Sequence, residues 1–114
     1  MDRFQAGDVT WARDPTGAHE ERPVVVLSHE NHPFAATDCA VMCAGSSGGH
    51  HDHSAPVLEP EHLAGISFAE TTHLLPWALY TVPGGVLRTG ESVGALTDAG
   101  RALLERELVG LLAD

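Results

Sequence analysis

Polar and apolar positions alternate along Asp8-Val9-Thr10-Trp11-Ala12, the period of a half-buried strand. Asp14-Pro15-Thr16-Gly17 follows with turn chemistry, proline fixing φ and glycine allowing φ > 0. Ala18 to Arg22 is polar and predicts a loop. Pro23-Val24-Val25-Val26-Leu27 is then apolar without interruption, and its three successive β-branched residues favour the extended state. A continuous apolar run predicts a central strand covered on both faces, with Pro23 at its first position, where a missing N–H is tolerated.

Further along, the polar stretch His29 to Asp38 predicts a connection and Cys39-Ala40-Val41-Met42-Cys43-Ala44 a second apolar strand. Gly45-Ser46-Ser47-Gly48-Gly49-His50-His51-Asp52-His53-Ser54 excludes regular structure. Order is expected again near Gly65-Ile66-Ser67-Phe68 and from His73 to Val82, where Pro76 marks a bulge or an edge. Pro83-Gly84-Gly85 is a turn, and Glu91 to Leu96 holds a last short strand. From Asp98 the period changes: Leu104, Leu108 and Leu111/Leu112 share one helical face, Thr97 is the expected N-cap and Asp98 sits at the positive helix end. Several short strands and one terminal amphipathic helix predict a mainly β fold, a small barrel carrying a helix.

Composition narrows the function classes. At 114 residues and 43% hydrophobic content, the chain suits one domain with a real core. No apolar run reaches the about 18 residues of a membrane span, and Met1 to Gln5 lacks the apolar core of a signal peptide, so a cytoplasmic protein without membrane contact is expected. The net charge is -10 and all six basic residues are arginines. Such a balance argues against a broad basic nucleic-acid surface, leaving contacts through a few arginines or charged histidines. It suits a halophile's salt-rich cytoplasm, and equally a GC-rich genome that replaces lysine with arginine.

Cys39 and Cys43, in one extended strand, would stand about 13 Å apart. That is beyond the roughly 7 Å between Cα atoms that a disulfide allows, so free thiols are expected. His50, His51 and His53 with Asp52 offer imidazole ligands, acid/base groups or simply a solvated loop. Their spacing matches no usual structural zinc pattern, and no metal or cofactor is expected.

Phe4-Gln5-Ala6-Gly7-Asp8-Val9-Thr10-Trp11, then Asp14-Pro15 and Arg22-Pro23-Val24-Val25-Val26-Leu27-Ser28, resemble the start of the MazF/PemK toxins. Thr81-Val82, Val93-Gly94-Ala95-Leu96-Thr97 and the terminal helix fit the same pattern. The resemblance implies an SH3-like barrel, usually dimeric. It implies a sequence-selective, metal-independent endoribonuclease acting on single-stranded RNA and blocked by a cognate antitoxin. It carries the family's arginine onto Arg22, whose guanidinium can grip phosphate oxygens as 2′-hydroxyl attack builds charge on phosphorus. The family's hydroxyl residue falls at Ala44 or Gly45, neither of which has one, so Ser46 or Ser47 becomes the candidate.

Candidate substrate contacts are Glu20, Trp77, Tyr80, His50, His51 and His53. Trp77 and Tyr80 stand where familiar members carry an Asp-Gln-Ile-Arg-like stretch, and fit either base stacking or core and dimer packing. Arg22 could instead be a solvated strand-start residue paired with Glu20 or Glu21. A catalytically silent member that binds protein or nucleic acid, or an unrelated small barrel, remains open at this level.

Overall fold

The computed structural model describes residues 4–17, 20–28, 31–46, 55–90 and 93–112. Among these residues six strands, β1 (Asp8–Arg13), β2 (Glu21–Val26), β3 (Asp38–Gly45), β4 (Leu63–Ala64), β5 (His73–Pro83) and β6 (Gly94–Leu96), precede one α-helix, α1 (Asp98–Leu112). They form one antiparallel sheet in the order β4-β6-β1-β2-β3-β5. The fold is mainly β with a C-terminal helix, as expected.

The apolar runs of β2 and β3 are covered on both faces. Val24, Val26, Val41 and Cys43 enter one cluster with Ala12, Leu75 and Leu87. Val25, Met42 and Ala44 enter the other, with Leu74, Leu96, Leu103 and Leu104. Helix α1 covers this second face. The sheet itself curls over the first. Pro83 lies level with Asp38, and Leu87, four residues later, bridges to Ala12. In a flat sheet of this register those two points would be some 25 Å apart. Four residues span at most about 14 Å, so the corners must fold toward each other.

Pro76 is where the sequence places it: β5 is the sheet's last strand, and its register shifts between Met42↔Leu79 and Ala44↔Leu74. Thr97 caps α1, its hydroxyl accepting the Gly100 N–H at 3.2 Å. Gly100 has a packing reason, since a Cβ there would lie 2.3 Å from the His62 carbonyl oxygen.

Two expectations need correction. β2 begins at Glu21, so Pro23 is its third residue and not its first. The apolar face of α1 is buried only through Leu103 and Leu104 and partly at Leu108; Leu111 and Leu112 are exposed, Leu112 at 89%. The helix's last turn extends beyond the strands it packs on.

Candidate active site

The site begins with a missing hydrogen-bond donor. Just past β2, Leu27 N–H donates to the Ala40 carbonyl of β3 at 2.8 Å, and alternate residues of an antiparallel strand point the same way. Position 25 faces β3 likewise, and position 23 is the next donor in that row. It is proline. The β2–β3 ladder stops at Val24↔Cys43, while β2 continues its pairing with β1 through Pro23↔Trp11, Arg22↔Ala12 and Glu21↔Arg13. Past that last rung, Arg22 and Pro23 on one strand and Gly45 and Ser46 on the other line a cleft of about 630 Å³.

One wall is apolar. Trp11 and Phe68 meet edge to face with ring centroids 5.9 Å apart, beside Pro23. Polar groups complete the lining: the hydroxyls of Ser46, Ser67 and Thr72, and the carboxylates of Glu21 and Glu70.

Arg22 is 6% exposed, so its charge requires a partner. Asp14 supplies it: Asp14 Oδ2 lies 3.3 Å from Arg22 Nε, and the carboxylate side chain is fully buried. Nε makes no well-aligned hydrogen bond among the described residues. Asp14 is itself fixed by the turn chemistry visible in the sequence. Its Oδ1 accepts the Thr16 N–H at 2.8 Å and the Thr16 hydroxyl at 2.7 Å, and Gly17 closes the turn at φ +78°. The turn that was expected only to reverse the chain therefore also orients a guanidinium. The pairing with Glu20 or Glu21 is not what forms. Glu21 takes Arg88 in an exposed ion pair.

Cys43 lies close enough to feel this pair. Burial pushes its thiol up to about 11, with Arg22 pulling down and Asp14 pushing up. Burial also raises Cys39, followed by the charges of Asp38 and Asp8. Both cysteines are free, and a thiol held protonated at neutral pH is no nucleophile.

The structure thus brings Arg22 and Ser46 together. Glu20 lies in a separate shallow depression with Arg13 and Glu21. Trp77 and Tyr80 are on β5, 48% and 37% exposed, outside the cleft lining. Ser47, His50, His51 and His53 lie outside the described residues. Asp14, Phe68 and Thr72 carry no local signal as site residues; they meet Arg22's surroundings only through the register of β1 on β2 and the path of residues 66–72. Among the described residues no group of three or more His, Cys, Asp or Glu could hold a metal, and no helix is long and apolar enough to cross a membrane.

No family model and no curated protein matches the sequence. Among solved structures, the chain is similar to an endoribonuclease in complex with its cognate antitoxin from Mycobacterial species. The TM-score is 0.68 at 17% identity, covering 98% of this chain and 95% of that one. At that identity the likeness establishes the fold.

Proposed function

We propose that this chain is the toxin of a toxin–antitoxin pair, a MazF/PemK-type endoribonuclease that cuts single-stranded RNA at a phosphodiester held by Arg22. The observation that carries this reading is the placement of Arg22 beside Ser46, where the β2–β3 ladder parts. Asp14 holds the guanidinium from its Nε side, and the terminal nitrogens are the groups assigned to the phosphate oxygens. As the 2′-oxygen attacks phosphorus, that fixed cation stabilises the charge growing on the phosphorane, and the Ser46 hydroxyl serves the same oxygens.

The substrate is single-stranded because the apolar wall of Trp11, Phe68 and Pro23 offers an aromatic surface to an unpaired base. A net charge of -10 suits one local phosphate contact better than a long electrostatic track. The solved fold-mate's antitoxin supports an antitoxin as partner here too. The apolar outer strand, with Trp77, Leu79 and Tyr80 exposed, supports a homodimer.

The test is cleavage of a mixed-sequence single-stranded RNA by pure, folded wild type, Arg22→Ala and Ser46→Ala, without metal and without antitoxin. Wild type should cleave at a limited set of sequences. Arg22→Ala should be slower by about 100-fold or more, and Ser46→Ala by less. An inert wild type overturns the enzyme reading, and equal rates for wild type and Arg22→Ala overturn the role of Arg22.

A further inference from the structure

We propose that Glu70 selects an unpaired guanine in the cleft, a role that rests on the endoribonuclease reading above. Among the described residues, the charged side chains lining the cleft are Glu21, Arg22 and Glu70. Two of them are matched: Arg22 is held by Asp14, and Glu21 by Arg88. The Glu70 carboxylate has no hydrogen-bond or ion-pair partner among the described residues. With both pairs cancelling, the charge left over in the lining is that of Glu70. Such a charge repels the phosphates that Arg22 attracts. It weakens RNA binding unless the RNA brings hydrogen-bond donors to it.

The position of Glu70 says which part of the RNA brings them. Ser67, Phe68, Ala69 and Glu70 line the cleft in succession, and Phe68 belongs to the aromatic wall with Trp11. A base stacked on that wall by its π face is recognised along its edge, by groups beside the ring. Glu70 stands two residues from Phe68, and its side chain is exposed in the free cleft, open to a ligand. The backbone that carries it is fixed. The Thr72 hydroxyl donates to the Glu70 carbonyl at 3.0 Å, and the Thr72 carbonyl accepts the Leu58 N–H at 2.8 Å.

The choice of base follows from a carboxylate being an acceptor only. Guanine sets two donors side by side on its Watson–Crick edge, N1–H and the N2 amino group, and the two oxygens of one carboxylate take one each. Adenine and cytosine set a single amino donor beside an acceptor nitrogen, which a carboxylate repels. Uracil flanks its one N–H with carbonyl oxygens on both sides. Guanine alone fits.

The experiment compares wild type with Glu70→Gln on short single-stranded RNAs carrying guanine or inosine, which is guanine without the N2 amino group. Wild-type cleavage sites on mixed-sequence RNA should share a guanine at one fixed position. Inosine at that position should lower kcat/KM by about 10-fold or more in wild type and leave Glu70→Gln unaffected, because one amide oxygen cannot take both donors. The variant should also bind an all-uridine oligonucleotide severalfold more tightly at low salt, since the phosphates lose a repelling charge. With the side chain exposed and unpaired, its unfolding midpoint should match wild type. Cleavage sites with no common guanine overturn the proposal. An inosine penalty equal in the two proteins also overturns it, because another group would then recognise the base. So does a uniform loss of kcat with the sequence preference kept, which would make Glu70 a proton acceptor in the reaction. If wild type cuts nothing, the affinities of uncleavable 2′-methoxy oligonucleotides decide. A wild-type preference for guanine over inosine that vanishes in Glu70→Gln supports the guanine site while the enzyme reading falls; equal affinities overturn both.

Discussion

Strands β2 and β5 are both apolar in sequence, yet the valines of β2 are wholly buried while β5, with Leu74, Leu75, Ala78 and Val82 in the core, also turns large apolar residues outward. Val24, Val25 and Val26 are 0% exposed, whereas Leu79 on β5 is 43% exposed between the still more open Trp77 and a half-exposed Tyr80. The difference is position in the sheet: β2 is flanked by β1 and β3 and covered on both faces, while β5 ends the sheet. An apolar run predicts a strand; only the topology says whether that strand is core or surface. The cleft forms where the central strand stops pairing with β3, while the outer strand leaves Trp77, Leu79 and Tyr80 on the surface.

The hardest way to break the comparison is to place a charge in both strands. Val25→Asp sets an unpaired carboxylate between β2 and the helix side of the core, and should cost more than about 4 kcal/mol, leaving little folded protein. Leu79→Asp should cost about 1 kcal/mol or less and leave the fold intact. Urea denaturation followed by circular dichroism checks both. Similar losses in the two variants would mean that β5 is as buried as β2.

A step down in size, the polar end of β2 can be set against its apolar end. Asp14→Ala strands the Arg22 charge, whose side chain is only 7% exposed, and should cost about 3–5 kcal/mol. The double variant Asp14→Ala/Arg22→Met removes the stranded charge and should regain most of that loss without regaining cleavage. If Asp14→Ala is neutral, the ion pair is a surface contact and the anchoring of Arg22 fails as an idea.

Much of this architecture is legible in the sequence because it depends on neighbours. The alternation of Asp8 to Ala12, the valines of β2, the Thr97 cap and the bulge at Pro76 each rest on local chemistry. What resists reading depends on residues far apart in the chain. Asp14 announces a turn with Thr16, but nothing near it tells that its other oxygen meets Arg22; that follows from Ala12 pairing with Arg22. Phe68, Glu70 and Thr72 lie in a stretch with no period. Leu111 and Leu112 show the reverse error. Periodicity gave them a face, but the sheet ends before they reach it.

The third effect is a pH dependence. Cys43, on the strand beside β2, has its thiol raised by burial from 9.0 to about 11. Above pH 9 the unfolded chain loses this proton while the folded one keeps it. Stability contributed by the protonated thiol is therefore complete below pH 9 and declines as pH rises toward about 11. Replacing Cys43 with alanine should flatten this part of the stability–pH curve relative to wild type. Unchanged slopes in the two proteins would show that the thiol ionises as readily in the folded state as in the unfolded one.

The smallest stability change carries the sharpest contrast, because each strand has one proline in its interior, Pro83 merely closing β5. Pro23 withholds the donor that would make the next rung to β3, while Pro76 sits within the bulge of an outer strand. Pro23→Ala restores an N–H aimed at β3, and a new rung contributes about 0.5–1.5 kcal/mol. Losing proline loosens the unfolded chain and offsets about 0.4–1 kcal/mol of that gain. Net stability should hardly move. The cleft should nevertheless narrow, since the rung draws together the strands that carry Arg22 and Ser46, and RNA cleavage should slow. Hydrogen exchange at residue 23 should show a protected amide. Pro76→Ala should change neither the cleft nor the rate, for β5 carries no cleft-lining residue among those described apart from the Thr72 that precedes it. If Pro23→Ala protects its new amide and cleavage keeps its full rate, then the parting of β2 from β3 is incidental to the site. If it slows cleavage without protection, the proline shapes the cleft through its ring beside Trp11 and not through the donor it lacks.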